Sequence, residues 1–434
     1  MDRGDIMKYK KISTYSYNLH IIKTNKFKTV TVQVNFKRKL KKEEITYRNM
    51  IVNMLCESNS IYPSKRLMTI QTENLYDLGY RGMNYISGKY NVMNFAATFL
   101  NEDYTEKGLL DESIKFLSDL IFKPNIERKR NEISFNNDNF ELAYNLLKDN
   151  IISQKENPDA YSKTRMLEYL EPNSCHSYRS VGYLEDLEKI DSKKLYKYYE
   201  SILNSDILDI FVIGNINERH IKKVIENNFS NIKTFKKPSE SHFITPKKHR
   251  LIPKVVREQQ KINQSKLVIG YKIDKMTNFE LRYVLTVYSY ILGGGPDSKL
   301  FKTVREDNSL CYYISSVTYP LNSIMTIRAG INKKDFKKTI SLIKKEIINM
   351  RKGRFTDDDI IKAKITYINS LKELEDSQDS LISLYAGIEY LGSDNLDNRF
   401  KKINKVTKED VIKLASKIHL DTIYLLEGED NEEE

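Results

Sequence analysis

Apolar residues along this chain switch between two spacings, and the switch happens twice. Residues 29–36 (TVTVQVNF) place Val30, Val32, Val34 and Phe36 on alternate positions, the period of a strand with one buried face. A second strand-like run, residues 91–100 (NVMNFAATFL), follows. The spacing then lengthens: Leu110, Ile114, Leu117 and Ile121 fall on one face of a helix that Pro124 stops. Residues 266–273 (KLVIGYKI) and 323–331 (SIMTIRAGI) repeat the strand signals, and Phe336, Ile340, Ile343, Ile347 and Met350 predict the matching helix, ended by Gly353. A long helix comes next in each half; in the second, Thr356 and Asp359 have capping-box spacing and set its first turn. A short helix and a last strand close both halves, at 192–203 and 207–215 and again at 407–418 and 422–428.

The repeat reaches residue identity. Residues 64–70 (SKRLMTI) and 298–304 (SKLFKTV) share Ser-Lys, a large apolar residue at the fourth position, Thr at the sixth and a β-branched residue at the seventh. At the next position the halves part, with Gln71 in the first and Arg305 in the second. The pattern predicts an α+β fold of two homologous α/β sandwich domains, each a largely antiparallel sheet covered by helices. The expected boundaries are 1–235 and 263–434. Residues 236–262 hold Pro238, Pro246 and Pro253 and few periodic apolar positions, and read as a linker. His242 and His249 are expected to be solvent-exposed there, with nothing nearby to complete a metal set.

Composition narrows the class. At 434 residues the chain exceeds one core. Its 40% hydrophobic and 30% charged residues are those of a soluble globular protein. No run of about eighteen apolar residues predicts a membrane span. The N-terminal MDRGDIMKYKKIS lacks the apolar stretch of a secretory signal, and three widely spaced Cys (Cys56, Cys175, Cys311) give no disulfide framework, so the expected location is the cytoplasm. The net charge of +12 is spread over mixed-sign, solvated faces, which favours acidic peptides or an acidic partner over nucleic acid. The acidic C-terminal GEDNEEE is expected to be a solvated tail.

Candidate chemistry concentrates in residues 292–316. Gly293, Gly294 and Gly295 precede a helix beginning near Pro296; they are consecutive and followed by PDSK, which is not the G-x-x-x-x-G-K-[ST] of a phosphate loop. Beyond them stand Ser298, Leu300, Phe301, Val304, Arg305, Glu306, Leu310 and Tyr312. No G-x-S-x-G elbow occurs, and Cys175 beside His176 is adjacency in sequence only. Arg offers five donors in a rigid fork and Tyr a hydroxyl, so Arg305 and Tyr312 are suited to grip peptide carbonyls or steady an oxyanion, while neither activates water.

This order of residues resembles the second domain of the insulinase/pitrilysin-type (inverzincin) peptidases. The resemblance implies that Arg305 and Tyr312 hold the substrate backbone and help stabilise the transition state, with Tyr313 as the alternative if the register slips, and that the 293–295 loop faces substrate. It further implies a zinc site on another domain, built on H-x-x-E-H. That motif needs two His four positions apart. The six His (His20, His176, His220, His242, His249, His419) include no such pair. Upstream of Ile61, Tyr62, Pro63 and Ser64, where the motif belongs, the chain reads NMIVNMLCES, with Cys56 and Glu57 but no His. The likeness is to small bacterial, zinc-less members of the group that pair with a zinc-bearing homologue, two such chains closing around a chamber. The expected role is the non-catalytic subunit of a heterodimeric zinc-dependent peptidase that processes peptides. Zinc is then supplied by the partner and no metal by this chain, and membrane and nucleic acid are not expected partners. The alternatives are a scaffolding homologue without proteolytic role and a basic nucleic-acid-binding protein.

Overall fold

The computed structural model describes residues 7–129, 132–229, 232 and 241–429, which form two compact units. The units interleave in sequence. The first comprises Met1–Ile152, Arg179–Ser241 and Ser377–Ala386; the second comprises Ser153–Tyr178, His242–Asp376 and Gly387–Glu434.

In the first unit the strands are β1 (Lys8–Ser13), β2 (Asn18–Lys23), β3 (Thr29–Lys39), β4 (Gly79–Ser87), β5 (Tyr90–Leu100), the small ribbon β6 (Ile126–Lys129) with β7 (Glu132–Phe135), and β8 (Ile207–Gly214). The main sheet runs β1-β2-β8-β3-β5-β4 and is antiparallel except where β8 meets β2. Val32 sits between Ala97 of β5 and Val212 of β8. Alternation sends Val30, Val32, Val34 and Phe36 to a core shared with Ile51 and Leu55 of helix Lys42–Glu57, Leu117 and Ile121 of helix Leu109–Phe122, and Leu195 of helix Ser192–Ser205. On the other face β3 presents Thr29, Thr31, Gln33 and Asn35. Gln378, from the second half of the sequence, covers part of it: its Oε1 accepts from Thr29 Oγ1 (2.9 Å) and Thr31 Oγ1 (2.7 Å), and its Nε2 donates to Thr29 O (2.8 Å).

The second unit repeats this plan. Its strands are β9 (Lys254–Gln259), β10 (Ser265–Ile273), β11 (Cys311–Tyr319), β12 (Ile324–Ile331) and β13 (Ile418–Glu427). The order β9-β13-β10-β12-β11 matches β2-β8-β3-β5-β4, and the single parallel pair, β13 with β9, falls at the same place. Leu267, Ile269, Tyr271 and Ile273 pack against helices Leu285–Gly293, Phe336–Arg351 and Lys408–Ser416. On the opposite face, Met166 and Leu170 of helix Pro158–Leu170 contact Val268, Tyr424 and Leu426. Gly270 permits this approach, since a Cβ there would lie 2.6 Å from Met166 Sδ. Arg165 of the same helix grips Glu258 of β9 through Nη2 (2.6 Å) and Nε (3.1 Å).

The capping box at Thr356 and Asp359 is present as its spacing predicts. The stretch expected as a linker behaves differently. Residues 236–240, with Pro238, lie outside the described residues, as do 430–434 of the acidic tail. Of the remainder, Lys254–Gln259 is strand β9, an edge strand opened by Pro253, a position at which a missing N–H costs no ladder bond.

Both sheets bury a lysine against an aspartate of the closing strand: Lys37 Nζ to Asp209 Oδ2 at 3.5 Å, and Lys272 Nζ to Asp421 Oδ2 at 3.6 Å. Burial pushes the Asp209 carboxyl up, but the His20 hydrogen bond, the Lys37 and His20 charges and the Asn18 hydrogen bond outweigh it and hold the group at about 2. An unfolded Asp titrates near 4. A depressed folded value contributes stability above the unfolded value and loses it as pH falls through the folded one. Asp209→Asn should therefore flatten the loss of stability between pH about 4 and about 2. It should also destabilise the protein at neutral pH by removing the negative charge that faces buried Lys37. Urea unfolding of both proteins across that range checks both parts.

Candidate functional site

The first unit offers no zinc ligands where the family places them. Helix Lys42–Glu57 carries no His. Burial pushes the Cys56 thiol up to about 12, against the lowering effect of Lys65, which favours its protonated form. Asn59 Oδ1 accepts from Ile61 N (2.9 Å) and Tyr62 N (2.7 Å), and Ser64 then caps helix Lys65–Asn74.

The corresponding segment of the second unit is built differently. Helix Leu285–Gly293 ends where a Cβ on Gly293 would lie 2.6 Å from the backbone nitrogen of Ser316 on β11. Glycine is required there by close approach of helix to strand. A Cβ on Gly294 would meet Tyr290 Cα at 2.6 Å, whereas Gly295 faces open space. Ser298 Oγ closes the turn by donating to Gly295 O (2.6 Å). The loop borders a cavity of about 190 Å³ lined also by Tyr290, Asp359 and Thr366.

Residues Phe301–Glu306 are then wound as a π-helix, where the first unit's Lys65–Asn74 is an ordinary α-helix. Single π turns are uncommon and recur at functional sites. Buried Leu300 and Val304 anchor this one, and the Ser309 N–H bonds Arg305 O (3.0 Å) from a left-handed conformation (φ 51°). In β11, Tyr312 and Tyr313 together oppose Gly330 of β12, a bulge that re-aims side chains. A Cβ on Gly330 would lie 2.8 Å from Tyr313 Cε1.

The winding and the bulge bring the two expected residues together. Arg305 Cζ lies 4.5 Å from the Phe301 ring centre and 5.4 Å from that of Tyr312, which is 76% exposed. No described carboxylate, Glu306 and Asp307 included, pairs with Arg305. Tyr313 is engaged elsewhere: its hydroxyl donates to Asp159, its ring lies 5.1 Å from Lys266 Nζ, and burial together with Asp159 raises its pKa. An Arg stacked between two rings keeps its charge and its donors for a ligand. Gly330 and the π winding carried no signal in the sequence, and Phe301, part of the recognised segment, gave no sign of its stacking on Arg305, because each acts only through a neighbour in space.

Two histidines depart from expectation. His242 is 2% exposed and stacks on Tyr390 (5.7 Å), and His249 is half-buried, stacked on His419 at 3.9 Å. The chain preceding β9 packs on the second unit instead of running through solvent, and Asp274 with His419 supplies His249 with the neighbours the sequence did not reveal.

Comparison with known proteins follows the same lines. Residues 189–367 match the family described as Peptidase M16 inactive domain. The "Probable inactive metalloprotease YmfF" of Bacillus subtilis (strain 168) is 28% identical over 420 residues, covering 94% of this chain and 95% of that protein. The "Uncharacterized zinc protease YmxG" of the same organism is 24% identical over 330 residues, covering 74% and 77%. A conserved protein from Enterococcus faecalis V583 superposes with a TM-score of 0.90 at 25% identity, over 98% of this chain and 100% of that one. The peptidase M16 inactive domain from Pseudomonas fluorescens shares the fold with a TM-score of 0.77 at 14% identity, over 99% and 100%. The two α/β sandwiches have the fold of this M16-type structure. The chain carries the M16 inactive domain over residues 189–367 and is similar over nearly its whole length to an inactive member of the insulinase/pitrilysin (M16) family.

The glycine loop gives a direct test of this packing. Gly293→Ala should destabilise the protein by about 1–3 kcal/mol through the clash with β11, while Gly295→Ala stays within about 0.5 kcal/mol. Denaturant melts of the two variants separate a glycine needed for packing from one that only shapes the loop.

Proposed function

We propose that this chain is the non-catalytic subunit of a heterodimeric, zinc-dependent peptidase of the insulinase type, working in the cytoplasm on peptide substrates. Its partner is a homologue carrying H-x-x-E-H, which supplies zinc and the general base. This chain supplies Arg305 and Tyr312, with the loop at Gly293, Gly294 and Gly295 alongside. The observation that carries the reading is a guanidinium stacked between Phe301 and an exposed Tyr312, with no described carboxylate against it, in a chain lacking the family's zinc ligands. The relatives support it: one bears the name of an inactive metalloprotease, and others that of a zinc protease.

In this reading the partner's zinc polarises the scissile carbonyl and activates water when bound. Arg305 donates its N–H groups to substrate carbonyls or to the developing oxyanion, and Tyr312 donates its hydroxyl. Because the stacked Arg is already oriented, little reorganisation is needed when charge develops. Nothing in the site takes up the proton of water, so the chain alone turns over no substrate.

The test reconstitutes the chain with the H-x-x-E-H homologue encoded in the same genome and assays quenched-fluorescent peptides. Each chain alone should be inert or nearly so, and the pair active and chelator-sensitive. Arg305→Ala and Tyr312→Phe should leave thermal melts and assembly unchanged while lowering kcat about 10²–10³-fold for lost transition-state donors. A raised KM with unchanged kcat would make the pair a ground-state anchor. Unchanged kcat and KM in both variants would overturn the reading and leave a scaffolding subunit.

A further inference from the structure

We propose that His249, Asp274 and His419 form a site for a late first-row divalent cation, Zn²⁺ foremost. Among the described residues they are the group of His, Cys, Asp and Glu whose ligand atoms lie within 4.8 Å of one another. Three separate parts of the second unit converge there. Asp274 follows the end of β10, His419 stands near the start of β13, and His249 belongs to the segment leading to β9. His419 Nε2 is 2.9 Å from Asp274 Oδ2, and the His249 ring faces the His419 ring at 3.9 Å, 9° from parallel.

The arrangement is unfinished as it stands. His249 Nδ1 is buried with no hydrogen-bond partner among the described residues. An unmet polar atom of this kind costs about 1–3 kcal/mol. A cation bound by both imidazoles and the carboxylate removes that cost. It requires one ring to leave the parallel stack by rotating about χ2, the softer of the two His torsions.

Donor chemistry sets the metal class. Two imidazoles with one carboxylate suit Zn²⁺, Co²⁺ or Ni²⁺ and are a poor set for Mg²⁺ or Ca²⁺, which take oxygen ligands. Three protein ligands leave a position for water. Three cations around the cluster are offset by carboxylates: Arg250 on Asp421, Lys272 on Glu171 (3.4 Å) and Asp421, and Lys417 on Glu280 (2.8 Å). Lys266, at the other end of β10, pairs with Gly330, the residue opposite Tyr312. Asp274 therefore stands a full strand length away, roughly 25 Å at about 3.3 Å per residue. A metal there does not touch the Arg305 site; it clips the segment before β9 to the end of the sheet. Arg250, the next residue, already ties that segment down through its N–H to Asp421 Oδ2 (2.9 Å).

The full-length chain, stripped of metal, should take up one Zn²⁺ with micromolar or tighter affinity in competition with a chromophoric indicator. Co²⁺ at the same site should give visible d–d bands. His249→Ala and His419→Ala should each reduce the stoichiometry from one to none, and Asp274→Asn should weaken binding at least about tenfold. His220→Ala, which removes an exposed His paired with Asp111 (2.8 Å), should change nothing. Zinc should raise the melting temperature of wild type and His220→Ala but not of the two site variants, and metal-free melts establish that those variants fold. No saturable site in the micromolar range, or a site that survives both His substitutions, would overturn the proposal.

Discussion

Each sheet in this protein is completed by its last strand. β8 arrives after more than a hundred intervening residues and inserts between β2 and β3; β13 inserts in the same way between β9 and β10. Every residue of β8 is buried, and each closing strand brings the aspartate that meets the buried lysine of its neighbour. A sheet whose centre comes last cannot hold its outer strands until the chain has returned, so folding of each unit rests on long-range pairing that is slow to form. The edge strands β4 and β11, and the helical segments leading into them, depend on that closure.

On this common frame the two halves diverge at one place. Before β4 the chain forms a regular helix with Gln71 at the divergent position; before β11 it widens into a π turn in which Arg305 is half-buried beside Tyr312 while Val304 stays in the core. A bulge then lets Tyr312 and Tyr313 take separate roles, one exposed beside the guanidinium and the other tied to Asp159. Local rewinding thus sets the second half apart from the first on one shared plan. This is the division of labour expected of a subunit that lends contacts to chemistry carried by another chain. The His249, Asp274 and His419 cluster lies at the other end of the same sheet, where a cation would secure the chain without entering that division.

Much of this plan was legible in the residues. Alternating Val30, Val32, Val34 and Phe36, the helical spacing of Leu110 to Ile121, and the Thr356 and Asp359 cap are local signals, and local signals survive into the fold. The shared Ser-Lys segments revealed the duplication, and Gln71 against Arg305 marked the position where the two halves part. What stayed hidden depends on partners distant in sequence. β9 is short and exposed on an edge, so it lacks the alternation that marks a buried strand. The docking of helix Pro158–Leu170 on β10 and β13, and of Gln378 on β3, cannot be read from either segment alone. The bulge exists because Gly330 admits Tyr313 from the neighbouring strand. His249 was assigned to solvent because nothing adjacent in sequence announces Asp274 and His419.

The central claim is that Tyr312 and Arg305 touch a peptide whose bond is broken by another chain's zinc. Replacing Tyr312 by a photo-reactive benzoylphenylalanine in the reconstituted pair, with the partner stripped of zinc so that peptide binds without being cut, tests this contact directly. The account predicts a light-dependent cross-link from position 312 to the labelled peptide, lost when unlabelled peptide competes and lost in the Arg305→Ala background. A pair that regains full peptidase activity on restoring zinc, yet gives no cross-link to peptide from position 312, would contradict it.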